Sequence, residues 1–523
     1  MLGPLVIVVL GITVLVGTTL GRRYRVAPPV ILLCSGALLG LVPGLADVEL
    51  NPDVVLLLFL PAILYWESLN TSFREIRANL RVIVLSSVVL VIVTMVAVSF
   101  AARALGVDER AAWVLGAVLA PTDAAAIAGL AKQMPRRTLT TLRAESLIND
   151  GTALVLFGVA VAYATGAASP TPVVLAGQFI GSYAGGIAAG LAVSGLVVLV
   201  RRHLDDPLRE GGLSVLTPFM AFLLAELVHV SGVVAVVVAG LVLTYAGPRV
   251  IRARSRTQAF AFWDLATFLL NGGLFVLVGL QFHRAAENLD STSFTEALVI
   301  ALAITGVVIV TRLLWVHLAA FVIRTVDRRA VQRTRRVSWQ QRTASGWAGF
   351  RGAVSLATAL AVPTTVLSGA AFPDRDLLVF ITSVVILLTI VVQGTTLPAV
   401  VRWARLPEDT GRVEELHLAR TRAAQAGLDA LPQVAAELGI TGDQLDRIRS
   451  DYEDKVRDVL DDSPGNAPAR DRERRLRLAV LDRKRRAVVA LRDANEIDDI
   501  VLRELQAVLD AEEVRLLGPV PTD

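Results

Sequence analysis

Residues 111–131 read AAWVLGAVLAPTDAAAIAGLA, an apolar block that contains Pro121 and Asp123 in its interior. The block is long enough to cross the hydrocarbon core of a bilayer, which takes roughly 20 residues of α-helix. Proline removes a backbone donor and clashes with the preceding turn of a helix. The stretch therefore predicts a membrane-spanning helix that is broken near Pro121, or one that is simply kinked there.

The rest of the chain has the composition of a membrane protein. Of its 523 residues, 54% are hydrophobic and 19% are charged, whereas soluble domains are about 25% charged. The apolar blocks end near residue 401, and the remainder is polar. We therefore expect a transmembrane domain at 1–405 and a helical cytoplasmic tail at 406–523. Thirteen blocks are long enough to span, at 3–20, 26–43, 51–67, 82–102, 111–131, 144–165, 172–200, 212–229, 231–246, 259–281, 294–323, 344–362 and 377–401.

Arginine and lysine residues orient these spans. Alternate connections hold 26 of them, and the other set of connections holds four. Because basic residues concentrate in cytoplasmic loops, the pattern predicts an outer N-terminus and a cytoplasmic tail in a bacterial inner membrane. The first block lacks a basic segment before it and is interpreted as a retained span.

Thirteen spans divide into six, one linker and six, so that the second six begin on the opposite side of the membrane. This is the arrangement of inverted repeats in many secondary transporters. The fifth and twelfth spans then correspond, and the twelfth carries Gly346, Gly349 and Gly352 around Arg351. The predicted fold class is an all-α membrane protein of 13 transmembrane helices in two inverted six-helix repeats with interrupted helices.

Four charged residues fall inside spans, namely Asp123, Glu145, Asp150 and Arg351. A charge at the bilayer centre costs at least about 2.5–3.5 kcal/mol, so such residues are functional candidates. Ser146 and Asp150 are four residues apart and share one face of the sixth span. Their oxygens suit a hard cation such as sodium. Since a proton and a sodium ion each neutralise a carboxylate, competition for Asp150 is sufficient for antiport.

Structural alternatives remain for each of these residues. Asp150 can serve as a buried hydrogen-bonding group, and Asp123 can cap a half-helix. Glu145 and Arg351 can neutralise each other without a role in transport. Snorkelling or an interfacial role is expected for the charged residues nearer to span ends, which are Glu67, Glu226, Asp264, Arg312 and His317.

Three segments resemble the NhaP and NHE-type cation:proton antiporters, and they occur in the order and spacing of that family. They are Ala120-Pro121-Thr122-Asp123, Glu145-Ser146-Leu147-Ile148-Asn149-Asp150 and Gly349-Phe350-Arg351-Gly352-Ala353-Val354-Ser355. The resemblance implies a homodimer with a dimerisation part and a six-helix core that contains crossed helices and moves as an elevator.

The resemblance also implies roles for single residues. Asp150 would bind sodium, with Ser146 and the Thr122 backbone carbonyl as further ligands. Asp123 and Asn149 would organise the crossed chains at the ion site, and Glu145 would pair with Arg351. Members with an Asn-Asp pair exchange one sodium ion for one proton, which implies electroneutral exchange that serves pH and sodium homeostasis.

Other functions fit the sequence less well. The chain has three lysines, at 132, 455 and 484, and none follows a glycine, so a P-loop ATPase is excluded. Potassium/proton or lithium/proton exchange on the same fold remains open. An ion channel and an intramembrane enzyme are the alternatives from other classes. The expected partners are monovalent cations, protons, lipid and a second subunit, without nucleic acid or a cofactor. The tail is expected to be regulatory, dimer-stabilising or a solvated appendage.

Overall fold

The computed structural model describes most of the chain as helices. The described residues are 2–24, 26–42, 44–45, 54–71, 76, 83, 85–123, 136–166, 172–289, 292–326, 337–406, 410–460, 467–494, 496 and 499–517. Within them, regular structure is helical apart from one antiparallel bridge between Thr365 and Ala371. Contact analysis divides the chain into one unit at Met1–Pro407 and another at Glu408–Asp523.

The first unit contains fifteen helices in its described part. They are α1 (Leu2–Tyr24), α2 (Pro28–Leu39), α3 (Leu60–Leu69), α4 (Leu90–Ala104), α5 (Glu109–Leu119), α6 (Arg136–Thr165), α7 (Pro172–Arg201), α8 (Pro207–Leu227), α9 (Gly232–Val250), α10 (Ala253–Glu287), α11 (Phe294–Val326), α12 (Trp339–Trp347), α13 (Ala353–Leu360), α14 (Arg375–Leu388) and α15 (Gly394–Ala404). Wider π-helical turns precede α3 and α4 at Val55–Phe59 and Leu85–Val89, and a third joins α14 to α15 at Thr389–Gln393.

Nine helical segments in the described part are long and apolar enough to cross a membrane. Pro28–Leu39 and Leu56–Leu69 are shorter apolar helices. The chain is therefore a multi-pass membrane protein. The second half of the fifth predicted span, at 124–131, lies outside the described residues, and the count of thirteen and the inverted repeat stay predictions.

Both spans that were expected to be interrupted contain non-helical backbone. Helix α5 ends at Leu119, and the chain is no longer helical from Ala120 to Asp123. On the other side, α12 ends at Trp347, and α13 begins at Ala353. The fifth span is thus broken at Pro121 rather than merely kinked, because the proline cannot supply the donor that would continue the helix.

Buried apolar residues divide the membrane unit into packing groups. One cluster joins α4, α5, α11 and α14 with the alanines of α6. A second cluster joins α3, α7, α8, α9 and the first half of α10, with Leu147 of α6. Helix α6 therefore lies where the two clusters meet, and it carries the Asn-Asp pair.

The second unit consists of two helical pairs. Helix α16 (Thr410–Glu437) packs on α17 (Asp443–Leu460), and α18 (Ala467–Asp493) packs on α19 (Asp499–Leu517). The α18–α19 hairpin buries Leu481, Leu502 and Leu509. Arg485 adds hydrogen bonds to Asp510 at 2.6 Å and Glu513 at 2.5 Å. The predicted helical tail is present, although each expected stretch is a pair of helices.

Two glycines bring α2 and α10 into close contact. A Cβ atom on Gly36 would overlap the carbonyl oxygen of Val276, and one on Gly279 would overlap that of Leu33. Small residues are favoured where helices approach closely in membranes, because dispersion contacts replace the hydrophobic effect as the driving force. The pair fixes the position of α10, whose middle turn reaches the site described below.

We expect Gly279→Val to destabilise the membrane unit. The added side chain has no room at the α2 contact, and overpacking costs about 1–3 kcal/mol. The measurement is the melting temperature of the detergent-solubilised protein. Gly306→Val is the matched control, since a Cβ on Gly306 meets no atom within 4 Å. Equal melting temperatures for the two variants would contradict the predicted role of the contact.

Candidate functional site

The two broken segments cross each other. The backbone N–H of Asp123 donates to the carbonyl oxygen of Phe350 at 2.9 Å. A Cβ atom on Gly352 would collide with the Asp123 carboxylate. Glycine is therefore required at this position for the chains to approach so closely. The crossing places a backbone that is free of helical hydrogen bonds in the middle of the membrane unit, where it must find other partners.

Arg351 supplies several of those partners. Its side chain is 1% exposed. The Nε atom donates to the carbonyl oxygen of Leu119 at 2.7 Å, and Nη1 donates to that of Gly349 at 2.8 Å. Leu119 is the last residue of α5, whose terminal carbonyls have no partner within the helix. A positive charge is favoured at that end because the helix dipole is negative there.

The expected ion pair between Glu145 and Arg351 is wrong. Glu145 instead pairs with Arg312 of α11, with 2.6 Å between Oε1 and Nη1. Arg312 also donates from Nε to the Gly346 carbonyl oxygen at 3.2 Å. Both side chains of the pair are less than 10% exposed. Arg312, which was expected to snorkel, is thus a buried partner, while the Arg351 guanidinium bonds to the backbone of the crossing.

Polar residues of α6 bind the crossing from below. The Ser146 hydroxyl donates to the Thr122 carbonyl oxygen at 2.9 Å. The Asn149 amide accepts from the Thr122 hydroxyl at 3.0 Å and donates to the carbonyl oxygens of Ser87 at 3.0 Å and Glu145 at 3.1 Å. This amide orientation gives both amide atoms a complementary partner. Asn149 therefore joins α6 to both α5 and the turn before α4, as expected for an organising residue.

A cavity of about 40 Å³ lies beside these contacts. One water needs roughly 10–15 Å³ measured in this way, so there is room for a few water molecules or an ion. Asp150 is 6% exposed and lines the cavity together with Asp123, Thr122 and Ser146. Among the described residues, no group donates a hydrogen bond to the Asp150 carboxylate. All four predicted ion-binding residues therefore meet at one cavity.

Three further residues line this cavity and were missed as site residues from the sequence. Glu67 of α3 was assigned to an interfacial role, but it borders the same space as Asp150, and so do Asn271 of α10 and Ser355 of α13. A signal for Glu67 was present in the sequence. Leu60, Ile63, Leu64 and Glu67 follow the i, i+3, i+4, i+7 spacing of one helix face. That face lines the cavity.

The described part of the chain holds no group of three or more His, Cys, Asp or Glu side chains placed to bind a metal ion. The three carboxylates of Glu67, Asp123 and Asp150 share a cavity without forming such a cluster. The geometry offers a cation one buried carboxylate and nearby hydroxyl and carbonyl oxygens. A weak, exchangeable cation site has this character, because tight oxygen-ligand sites for cations use more carboxylates in direct contact.

Comparison with known proteins agrees with this arrangement. The family model described as "Sodium/hydrogen exchanger, transmembrane" matches residues 10–403. The chain belongs to the sodium/hydrogen exchanger family. A protein of Mycobacterium tuberculosis named as an uncharacterized Na+/H+ exchanger is 60% identical over 528 residues, which cover all of this chain and 97% of the relative. The low-affinity Na+/H+ antiporter NhaS1 of Synechocystis is 29% identical and covers 75% of this chain and 71% of its own.

The fold of this exchanger family member resembles a solved antiporter. The sodium proton antiporter MjNhaP1 from Methanocaldococcus jannaschii superimposes with a TM-score of 0.59 at 19% identity. The match covers 77% of this chain and 99% of that structure. The part of the present exchanger without a counterpart is less than a quarter of its length.

We expect Arg312→Met to destabilise the protein strongly. The change leaves the buried Glu145 charge without a partner, and breaking a buried ion pair in this way costs about 3–5 kcal/mol. Adding Glu145→Gln should restore much of the lost stability. The measurement is the melting temperature in detergent together with the yield of folded protein.

Arg351→Met is the matched control for this rescue. Because Arg351 bonds to backbone carbonyls, Glu145→Gln should not restore its stability. Equal rescue of Arg312→Met and Arg351→Met by Glu145→Gln would show that the assignment of the pair is wrong.

Proposed function

We infer that the chain is a secondary active sodium/proton antiporter in which a sodium ion and a proton compete for Asp150. The observation that carries the proposal is the position of this carboxylate, which is buried and borders a cavity large enough for an ion. A buried carboxylate is costly unless a cation or a proton neutralises it. Either cation therefore stabilises the same site, and binding of one displaces the other.

The neighbouring oxygens are proposed to complete the sodium site. Ser146 and the Thr122 carbonyl lie at the cavity, where their mutual hydrogen bond holds both in place. Asp123 and Glu67 add negative charge near the ion path. Asn149, Glu145 and Arg351 are proposed to organise the site through the contacts that hold α6 against the crossing. Glu145 does so through Arg312.

Exchange is proposed to be electroneutral. Asn149 is neutral, and the Glu145 charge is balanced by Arg312 at 2.6 Å. These groups keep one charge state through the cycle, so that Asp150 is the carboxylate that exchanges its cation. One sodium ion then moves against one proton.

An elevator-type movement is supported by the packing of the membrane unit. The cavity is lined by the breaks after α5 and before α13, which contact the first cluster, and by α3 and α10 of the second cluster. Sliding of one cluster past the other would expose Asp150 to each side in turn. We place the protein in a bacterial inner membrane as a homodimer with a cytoplasmic tail, with a role in pH and sodium homeostasis.

Asp150→Asn should abolish sodium-induced proton release from acidified everted vesicles, because an amide cannot exchange a proton for a cation. Asp264→Asn is the matched control. Asp264 is an exposed carboxylate on α10 that does not border the cavity, and its variant should retain exchange. Exchange at the unmodified rate in Asp150→Asn would refute the ion-carrier role. The same assay with potassium and lithium identifies the preferred cation.

Electroneutral exchange predicts a rate that does not depend on membrane potential. Purified protein in proteoliposomes should exchange sodium for protons equally fast at zero potential and at an imposed potassium-diffusion potential of either sign. The measurement is the initial rate of internal pH change. A rate that rises with potential of one sign and falls with the other would contradict one-for-one exchange.

A further inference from the structure

A second and larger cavity is not used by the site described above. It has a volume of about 670 Å³ and lies between the last turns of α6, the first turns of α7 and the connection from α8 to α9. The two cavities share no lining residue. All four helix segments belong to the end of the membrane unit that is opposite to the arginine-rich connections, which is the outer side in the proposed orientation.

Polar groups line this outer groove. Gln178 and Ser182 face it from α7, and Glu226, His229 and Ser231 face it from the α8–α9 connection. A groove of this size at the membrane surface with such groups can hold water. Glu226 gives it an acidic residue, and acidic walls in a confined cleft raise the local concentration of cations. His229 is the charged neighbour identified for Glu226.

A thin layer of side chains separates the outer groove from Asp150. The Tyr183 hydroxyl lies 2.5 Å from the Thr152 hydroxyl and donates to the Ile148 carbonyl oxygen at 3.2 Å. Ile148 and Thr152 flank Asp150 by two residues on either side. A Cβ atom on Gly151 would lie 3.6 Å from the Tyr183 hydroxyl and 3.1 Å from Val234. The turn of α6 that carries Asp150 thus packs directly on Tyr183.

The same tyrosine joins the two packing clusters. Helix α6 contributes alanines to the first cluster, and α7 belongs to the second. Between described residues of these two helices, the side-chain hydrogen bonds are the two made by Tyr183. Any movement of α6 along α7 must break both of them. Few contacts therefore hold the layer closed, and one side chain controls it.

We propose that the outer groove is the vestibule through which cations reach the site from the outer side, and that the Tyr183–Thr152 hydroxyl pair is the gate between the groove and Asp150. This inference rests on the proposed antiport function and assigns its outer path. Opening requires α6 to move away from Tyr183, which connects the groove to the ion cavity. The gate is closed in the present arrangement because the two hydroxyls are in contact.

Cysteine labelling tests the vestibule. Gly158 lines the groove, and a Cβ atom there meets no atom within 4 Å, so Gly158→Cys fits without strain. The background is Cys34→Ala, since Cys34 is exposed. A charged, membrane-impermeant methanethiosulfonate is applied to right-side-out vesicles. The thiolate reacts and forms only in water. Gly306→Cys on α11, which is exposed outside the groove, is the matched control.

We expect Gly158→Cys to react at least tenfold faster than Gly306→Cys. Equally slow reaction of both would mean that lipid fills the groove, and the vestibule would be refuted. Reaction in inside-out vesicles alone would place the groove on the cytoplasmic side and would also refute it.

A second labelling experiment tests the gate. Val354 lines the ion cavity, and Val354→Cys in the same background reports access to it. Tyr183→Phe keeps the ring and removes both hydrogen bonds. It should raise the rate of labelling from the outer side about two- to tenfold, the range expected for the loss of a hydrogen bond. Tyr163→Phe, on the same face of the membrane in α6, is the matched control and should leave the rate unchanged.

Equal labelling of Val354→Cys with and without Tyr183→Phe, including no labelling in either, would refute the gate. The outcome for the transport function is separate. If Asp150→Asn retains exchange, the proposed function fails whatever the labelling shows. If exchange requires Asp150 and Tyr183→Phe changes no labelling rate, only the gate fails.

Discussion

The Arg351 guanidinium holds the membrane unit in its functional form. Two helices stop in the middle of the membrane, and their free carbonyl groups would be costly in a medium without water. Arg351 donates to Leu119 on one segment and to Gly349 on its own. The carbonyl oxygens solvate its charge in return. The crossing, the position of Thr122 and the cavity beside Asp150 all depend on this exchange of partners between a buried cation and a broken backbone.

The carboxylates of the unit are balanced in two different ways. Glu145 has a fixed partner in Arg312 at 2.6 Å, so its charge is a constant part of the structure. The Asp150 carboxylate has no donor among the described residues, so a mobile cation must serve as its partner. This division explains how a strongly acidic region can be stable while one member stays available for binding. It also explains why Asn149, an amide, carries the hydrogen bonds that position α6.

The sequence predicted the membrane class, the two breaks and the residues around Asp150, because Pro121, the glycines near Arg351 and the Asn-Asp pair are local signals. The partner of Glu145 was not predictable in the same way. Arg312 is 167 residues from Glu145 in sequence, and hydropathy alone cannot distinguish an arginine that reaches the lipid surface from one that points into the protein. Glu67 was missed for a related reason, since its depth in the membrane depends on how α3 packs. Pairing across helices is a property of tertiary packing.

The π-helical turn at Thr389–Gln393 has a further consequence. Thr389 accepts a hydrogen bond from the Arg351 backbone N–H at 3.3 Å, so the turn touches the crossing. A π-helical turn contains one residue more than an α-helical turn. Shortening this turn by a single residue would give a continuous α-helix and rotate α15 by about 100° relative to α14. The last membrane helix therefore stores a discrete change of register at the point where it meets Arg351, and this register links the end of the membrane unit to the ion site.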